Sequence, residues 1–137
     1  MTRAVDLARR LGPELVALRR RLHRHPELGL HLPVTQAMVL EALAGLDLEV
    51  RTGESLSSVV AVLRGSAPTG GERPVVLLRG DMDALPVTEE VESDHTSEVP
   101  GVMHACGHDL HVAALVGAAH VLHRMRDELA GDVVLMF

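Results

Sequence analysis

Three short runs hold nothing but apolar residues: Val59-Val60-Ala61-Val62-Leu63, Val75-Val76-Leu77-Leu78 and Val133-Val134-Leu135-Met136-Phe137. They are too short for buried helices and too uniformly apolar for strands with one wet face. They predict strands of a sheet covered on both faces by the stretches between them, which defines an α/β fold with a mixed sheet. Residues 5 to 25 place Leu7, Leu11, Leu15, Leu18 and Leu22 at helical spacing, with most of the arginines elsewhere on the wheel. Gly12-Pro13 predicts an interruption, Pro13 opening a fresh helix, and Pro26 closes the pattern. A second helix is expected from a Thr35 cap to about Leu43, ended by Gly45. Leu48-Glu49-Val50-Arg51 alternates like an edge strand. The Gly/Pro/Ser-rich stretch 65 to 74 cannot hold a crossover helix, so antiparallel pairing of the two strands beside it is expected. From Asp109 to about Leu129 a third helix shows Leu110, Ala114, Gly117, Val121 and Met125 on one face, and His120, His123, Arg124 and Asp127 on a wet one. A strand that stops on Leu135-Met136-Phe137 suggests a piece of something longer.

Composition narrows the function classes. A net charge of −6 with mixed signs offers no basic stripe for nucleic acid, and a single aromatic residue offers no stacking platform. All thirteen basic residues are arginine, which reads as genome composition. One cysteine excludes an internal disulfide, and no segment approaches 18 uninterrupted apolar residues. A cytoplasmic, membrane-free address is the expectation.

The chemistry concentrates in Val102-Met103-His104-Ala105-Cys106-Gly107-His108-Asp109-Leu110-His111, with the only cysteine and three of nine histidines. Thiol, imidazole and carboxylate at this density are metal-ligand types. If the stretch is extended up to Asp109, Cys106 and His108 project to one side and can aim at one cation. A second constellation, Arg79-Gly80-Asp81-Met82-Asp83, puts two carboxylates on one side of the chain at the carboxyl end of a strand, where open α/β sheets place their sites. His23 and His25 fall at a helix C-terminus, where solvated cations suit the dipole. A Cys106 nucleophile with His108 or His104 as base, and a metal-holding module without catalysis, are the competing readings.

Two segments carry a resemblance: Leu77-Leu78-Arg79-Gly80-Asp81-Met82-Asp83-Ala84-Leu85-Pro86-Val87-Thr88-Glu89, and Pro100-Gly101-Val102 through Asp109. They resemble the signatures of the aminoacylase-like metallopeptidase family, in the branch of hippurate hydrolases, N-acyl-amino-acid deacylases and indole-acetyl-amino-acid hydrolases. Arg21-Leu22-His23-Arg24-His25-Pro26-Glu27-Leu28-Gly29 is similar to that branch's opening motif. The resemblance implies a helix-sheet-helix sandwich of the zinc-exopeptidase type, incomplete here. Residues 1–137 would form the N-terminal part of the catalytic domain, without the inserted dimerisation and lid domain. It implies two divalent ions (Zn, Mn, Co or Ni) and hydrolysis of N-acyl amino acids or similar small amides by a metal-activated water. By position Cys106 and His108 match metal ligands, Asp83 the aspartate that orients the site, and Asp81 a supporting group behind it. His104, Asp109 and His111 belong to the motif without assignment as ligands. The general-base glutamate and further histidine ligands of relatives lie beyond Phe137, so the piece alone is expected to be inactive and the full-length relative a homodimer.

Overall fold

The computed structural model describes residues 2–137. Its elements are α1 (Arg3–Arg24), α2 (Pro33–Leu43), β1 (Glu49–Thr52), β2 (Val59–Arg64), β3 (Val75–Arg79), α3 (His108–Arg124), a 3-10 turn at Arg126–Glu128 and β4 (Asp132–Met136). None of these helices is long and apolar enough to cross a membrane.

Helix α1 runs unbroken through Gly12-Pro13, where an interruption was expected. Pro13 removes one backbone donor, but it lies on the exposed side, where water can meet the freed carbonyl. On the other side Leu11 and Leu22 are buried, and Leu15 and Leu18 pack against the core. That burial outweighs the cost of about 3 kcal/mol for an interior proline. The α1–α3 contact is close because Gly117 sits on it: a Cβ there would stand 2.7 Å from Leu15 Cδ1. Helix α2 begins at Pro33, so Thr35 lies inside it rather than capping it, and Thr35 is buried. The cap comes from outside, where the Glu27 carboxylate accepts the amides of Val34 (3.2 Å) and Thr35 (2.8 Å). Past the helix end Gly45 takes a positive φ of 82°.

The sheet is mixed, in the order β1-β2-β4-β3. Strand β2 pairs antiparallel with β1 and β4, and β3 pairs parallel with β4. Strands β2 and β3 therefore run in opposite directions as expected, yet they are not neighbours. Strand β4, arriving last, takes the place between them. One-sided cover shows in the alternation: Val59, Ala61, Leu63, Val133, Leu135 and Phe137 are buried, whereas Val60, Val62, Val134 and Met136 are only half so. The three helices pack on one another and on the buried side. Cover on both faces, inferred from the uniformly apolar strands, is thus supplied on one face by the described residues. Strand β3 is an exposed edge, with Val75, Val76 and Leu77 each more than half accessible.

Helix α3 starts at His108 and gives way to the 3-10 turn after Arg124, short of the expected end. Its buried residues are Asp109, Val112, Ala113, Leu115, Val116, Gly117, Ala119 and Val121, while Leu110 is exposed. The expected stripe was rotated because this helix is apolar nearly all round and buries two faces, one on the sheet and one on α1. The expected wet face is partly tied down. His120 Nε2 lies 2.9 Å from the Ala42 carbonyl, and His123 Nε2 accepts the Asp47 amide at 3.2 Å.

Candidate metal centre

The carboxyl ends of parallel β3 and β4 leave a crevice beside the start of α3. Strand β3 ends at Arg79, and the next residues stay extended enough that Met82 is buried while Asp81 and Asp83 on either side of it are half-buried. The chain then leaves through an irregular loop and returns. Leu85 and Met103 exchange two backbone hydrogen bonds, of 2.9 and 3.0 Å, on its return. This short bridge lays the acidic segment alongside the histidine segment.

Around His104 the chain turns, with the Gly107 amide donating to the His104 carbonyl at 3.2 Å, and Gly107 adopts a left-handed φ of 81° before α3 begins. The extended geometry assumed for Cys106 and His108 therefore does not hold, since a turn and a glycine at positive φ lie in that span. His108 becomes the first residue of α3, and His111 follows one turn later on the same side, their rings stacked at 5.5 Å. Cys106 is an exposed free thiol.

Two carboxylates hold the His108 ring from opposite edges. Its Nδ1 lies 2.8 Å from the Asp83 carbonyl oxygen and 3.1 Å from Asp83 Oδ1, while Nε2 stands 3.5 Å from Asp81 Oδ2. His111 Nδ1 is 2.5 Å from Asp81 Oδ1. One ligand atom from each of Asp81, His108 and His111 lies within 4.8 Å of the others, a spacing that can hold a metal ion. The hydrogen bond from His111, helped by the charge of His108, holds the Asp81 carboxyl below the usual carboxylate range. Asp81 is thus an anionic oxygen donor at neutral pH. Behind the cluster His104 is 4% exposed, yet neither of its ring nitrogens has a hydrogen-bond partner among the described residues. Burial depresses its pKa, against the pull of Asp109, so this imidazole is neutral.

A carboxylate, two imidazoles and an unpartnered buried imidazole nearby suit a borderline divalent cation. The Asp83–His108 contact has the form of a carboxylate–histidine pair that fixes which ring nitrogen is free to bind. The sequence motif alone does not mark His111 as a ligand. Its signal was the i, i+3 spacing from His108, which puts both on one side of a helix's first turn. Among the described residues no hydrogen bond joins Cys106 to an imidazole, and both nitrogens of His108 face carboxylates. That pairing engages His108 elsewhere, and His104, buried, makes no hydrogen bond to the exposed Cys106 thiol. His23 departs furthest from expectation. It is buried, with its two ring nitrogens on Asp109 and Glu89, because α3 and the 84–101 loop fold over the end of α1. His25 is half-buried, its Nδ1 3.6 Å from Glu98.

Beside Asp81 and Asp83 a cavity of about 230 Å³ opens, with Leu30, Leu32, Leu56, Met136 and Phe137 on its walls and Arg79 among its lining residues.

Residues 77–137 match the sequence profile described as Peptidase family M20/M25/M40. The chain is 44% identical over 124 residues to thermostable carboxypeptidase 1 of Saccharolobus solfataricus, which covers 90% of this chain and 30% of that protein. It is 40% identical over 124 residues to an N-acyl-L-amino acid amidohydrolase of Geobacillus stearothermophilus, covering 90% of this chain and 32% of the other. The chain spans about a third of the length of these relatives. Among solved structures it is similar to Bacillus subtilis YXEP, described as a dinuclear metal binding peptidase from the M20 family. The TM-score is 0.85 at 35% identity, over 94% of this chain and 35% of that one.

Proposed function

We propose, on the premise that the aminoacylase-like resemblance is borne out by the M20/M25/M40 match over residues 77–137, that this chain is the metal-holding part of an amide hydrolase. The observation that carries the reading is the convergence of Asp81, His108 and His111 at the carboxyl end of β3, with Asp83 fixing the His108 ring. Asp81 and His108 would hold a divalent ion, His111 is within reach of it, and Cys106 is proposed as a further ligand once its exposed thiol turns inward. Two ions are proposed for the complete site, in keeping with the dinuclear description of the similar Bacillus subtilis protein. When bound, such ions lower the pKa of water and polarise a carbonyl.

The chain's own residues have distinct tasks in this scheme. Asp83 accepts from His108 Nδ1, so that Nε2 is the nitrogen that faces Asp81 and the crevice. Asp81 supplies negative charge where a cation is to sit. The cavity beside them has apolar walls that suit an acyl chain, and Arg79 can meet a carboxylate. N-acyl amino acids and similar small amides are the proposed substrates, as the name of the Geobacillus stearothermophilus relative suggests. A general-base carboxylate is not among the residues gathered here, so the 137-residue chain alone is proposed to bind metal without appreciable turnover. A cytoplasmic homodimer is part of the same proposal for the whole protein.

Cobalt(II) titration tests the reading. The expected result is stoichiometric binding with a thiolate-to-cobalt charge-transfer band that Cys106→Ser abolishes. In a longer form of the protein, hydrolysis of N-acyl amino acids should vanish with chelator and return with added metal. Activity that survives chelation and is lost only to thiol alkylation would overturn it.

A further inference from the structure

The opening motif around His23 takes no part in the scheme above, yet it holds the most buried ionic cluster among the described residues. Asp109 has no exposed surface, and it follows His108 directly in α3. A carboxylate in that position costs several kcal/mol unless it is paired. Its partners come from α1: Arg19 Nε at 2.8 Å and His23 Nδ1 at 2.7 Å, both on Oδ2, while Oδ1 accepts the Leu110 amide at 3.0 Å. Arg19 also reaches His23 Nδ1, at 3.2 Å. The other nitrogen of the same imidazole, Nε2, lies 3.1 Å from Glu89 Oε1. Glu89 belongs to the loop that leaves Asp83, and its second oxygen accepts the Ser97 amide at 2.7 Å, inside that loop. One ring therefore touches both strands of chain that meet at the metal centre: the residue beside His108 and the loop running on from Asp83.

The end of α1 grips that loop at further points. Arg20 pairs with Asp94 at 2.9 Å, Arg24 Nη1 donates to the Asp94 carbonyl at 3.2 Å, and the Glu98 amide donates to the Arg24 carbonyl at 2.8 Å. The Ala84 amide, next to Asp83, donates to the Glu27 carbonyl at 2.8 Å. The irregular segment 84–101 has no regular structure of its own and relies on this strap.

We infer that His23 is a positioning residue for the metal centre, bridging Asp109 and Glu89 so that His108 and the Asp81–Asp83 segment keep the spacing a cation needs. The inference rests on the metal-binding reading proposed above. Residues that orient a ligand in this way change metal affinity about 10- to 100-fold when removed. A cluster that served the fold alone would change stability and leave affinity untouched.

The test compares cobalt(II) binding to the wild-type chain with binding to His23→Gln, Glu89→Ala and Arg64→Ala. Dissociation constants and the visible ligand-field band are measured beside metal-free melting temperatures. Glu89→Ala keeps the proposal testable should His23→Gln fail to fold, and Arg64→Ala breaks an ionic cluster at the other end of the sheet. The expected result is at least a 10-fold weaker dissociation constant with an altered band for His23→Gln and Glu89→Ala, and wild-type binding for Arg64→Ala despite its lower melting temperature. Wild-type affinity and band in the Glu89 and His23 variants, or equal weakening by Arg64→Ala, would overturn the inference and leave the metal-binding reading standing. No cobalt binding by the wild-type chain would overturn both.

Discussion

The two ends of the sheet each gather carboxylates against cationic side chains, and they do so with different partners. At the end where β4 begins, Asp132 is nearly buried and lies 2.7 Å from Arg64 and 3.3 Å from Arg73, with Glu49 paired to Arg64 at 2.9 Å and the Gly65 amide donating to Asp132. Guanidinium groups are permanently charged and saturate the carboxylate, and the Arg64 hydrogen bond holds Asp132 well below the usual carboxylate range. Glycines at 65 and 131 let the backbones close: a Cβ on Gly65 would stand 2.2 Å from the Gly131 carbonyl oxygen. At the opposite end Asp81 and Asp83 face the imidazoles of His108 and His111, with the exposed Arg79 guanidinium farther off, 3.6 Å from Asp81. An imidazole can give up its proton and turn a lone pair to a metal, which a guanidinium cannot. One end is a closed clamp, the other an open site.

The largest effect that would break this contrast is expected from His108→Ala. It removes the ring both carboxylates hold, and divalent-metal affinity should fall by more than the roughly 100-fold upper range for a supporting group, as read by calorimetric titration. Asp83→Ala comes next. It keeps the backbone carbonyl 2.8 Å from Nδ1 and removes only the carboxylate, so the ring is held less firmly, and about 10-fold weaker binding is expected with little change in melting temperature. At the clamp, Gly65→Ala should cost about 1–3 kcal/mol of stability in denaturant titration, since backbone must shift, while the surviving folded protein binds metal as before.

Acid sharpens the comparison with a smaller effect. Asp132 has a depressed folded-state pKa, so its stabilisation is fully present above the ordinary carboxylate value of about 3.9 and is lost as pH falls through the lower folded value. Metal binding must displace protons from imidazole, so affinity should weaken at milder acidity than unfolds the chain. Circular dichroism and metal titration over one pH series would show the two losses separated. Coincident losses would mean that the two ends are not independent.

The strands and the metal-ligand types were legible because they depend on local pattern: apolar runs, and Asp, His and Cys at short spacing. What the sequence hid was set by distant partners. Strand β4 separates β2 from β3, a pairing that no local feature of residues 65 to 74 encodes. The buried stripe of α3 could not be read from a helix apolar on most sides. Thr35 looked like a cap because the true cap, Glu27, lies eight residues earlier. His23 looked solvated beside four arginines until Asp109, 86 residues away, came to lie on it. Asp83 Oδ1 lies 3.1 Å from His108 Nδ1, and His111 joins Asp81 and His108 because the first turn of α3 begins at His108.

Crystals of the chain grown with zinc, and data recorded on both sides of the zinc absorption edge, address the central claim directly. An anomalous peak bounded by Asp81 and His108 is expected, with Asp83 on the far nitrogen of that imidazole. A peak elsewhere on the chain, or none at that crevice at saturating zinc, would contradict it.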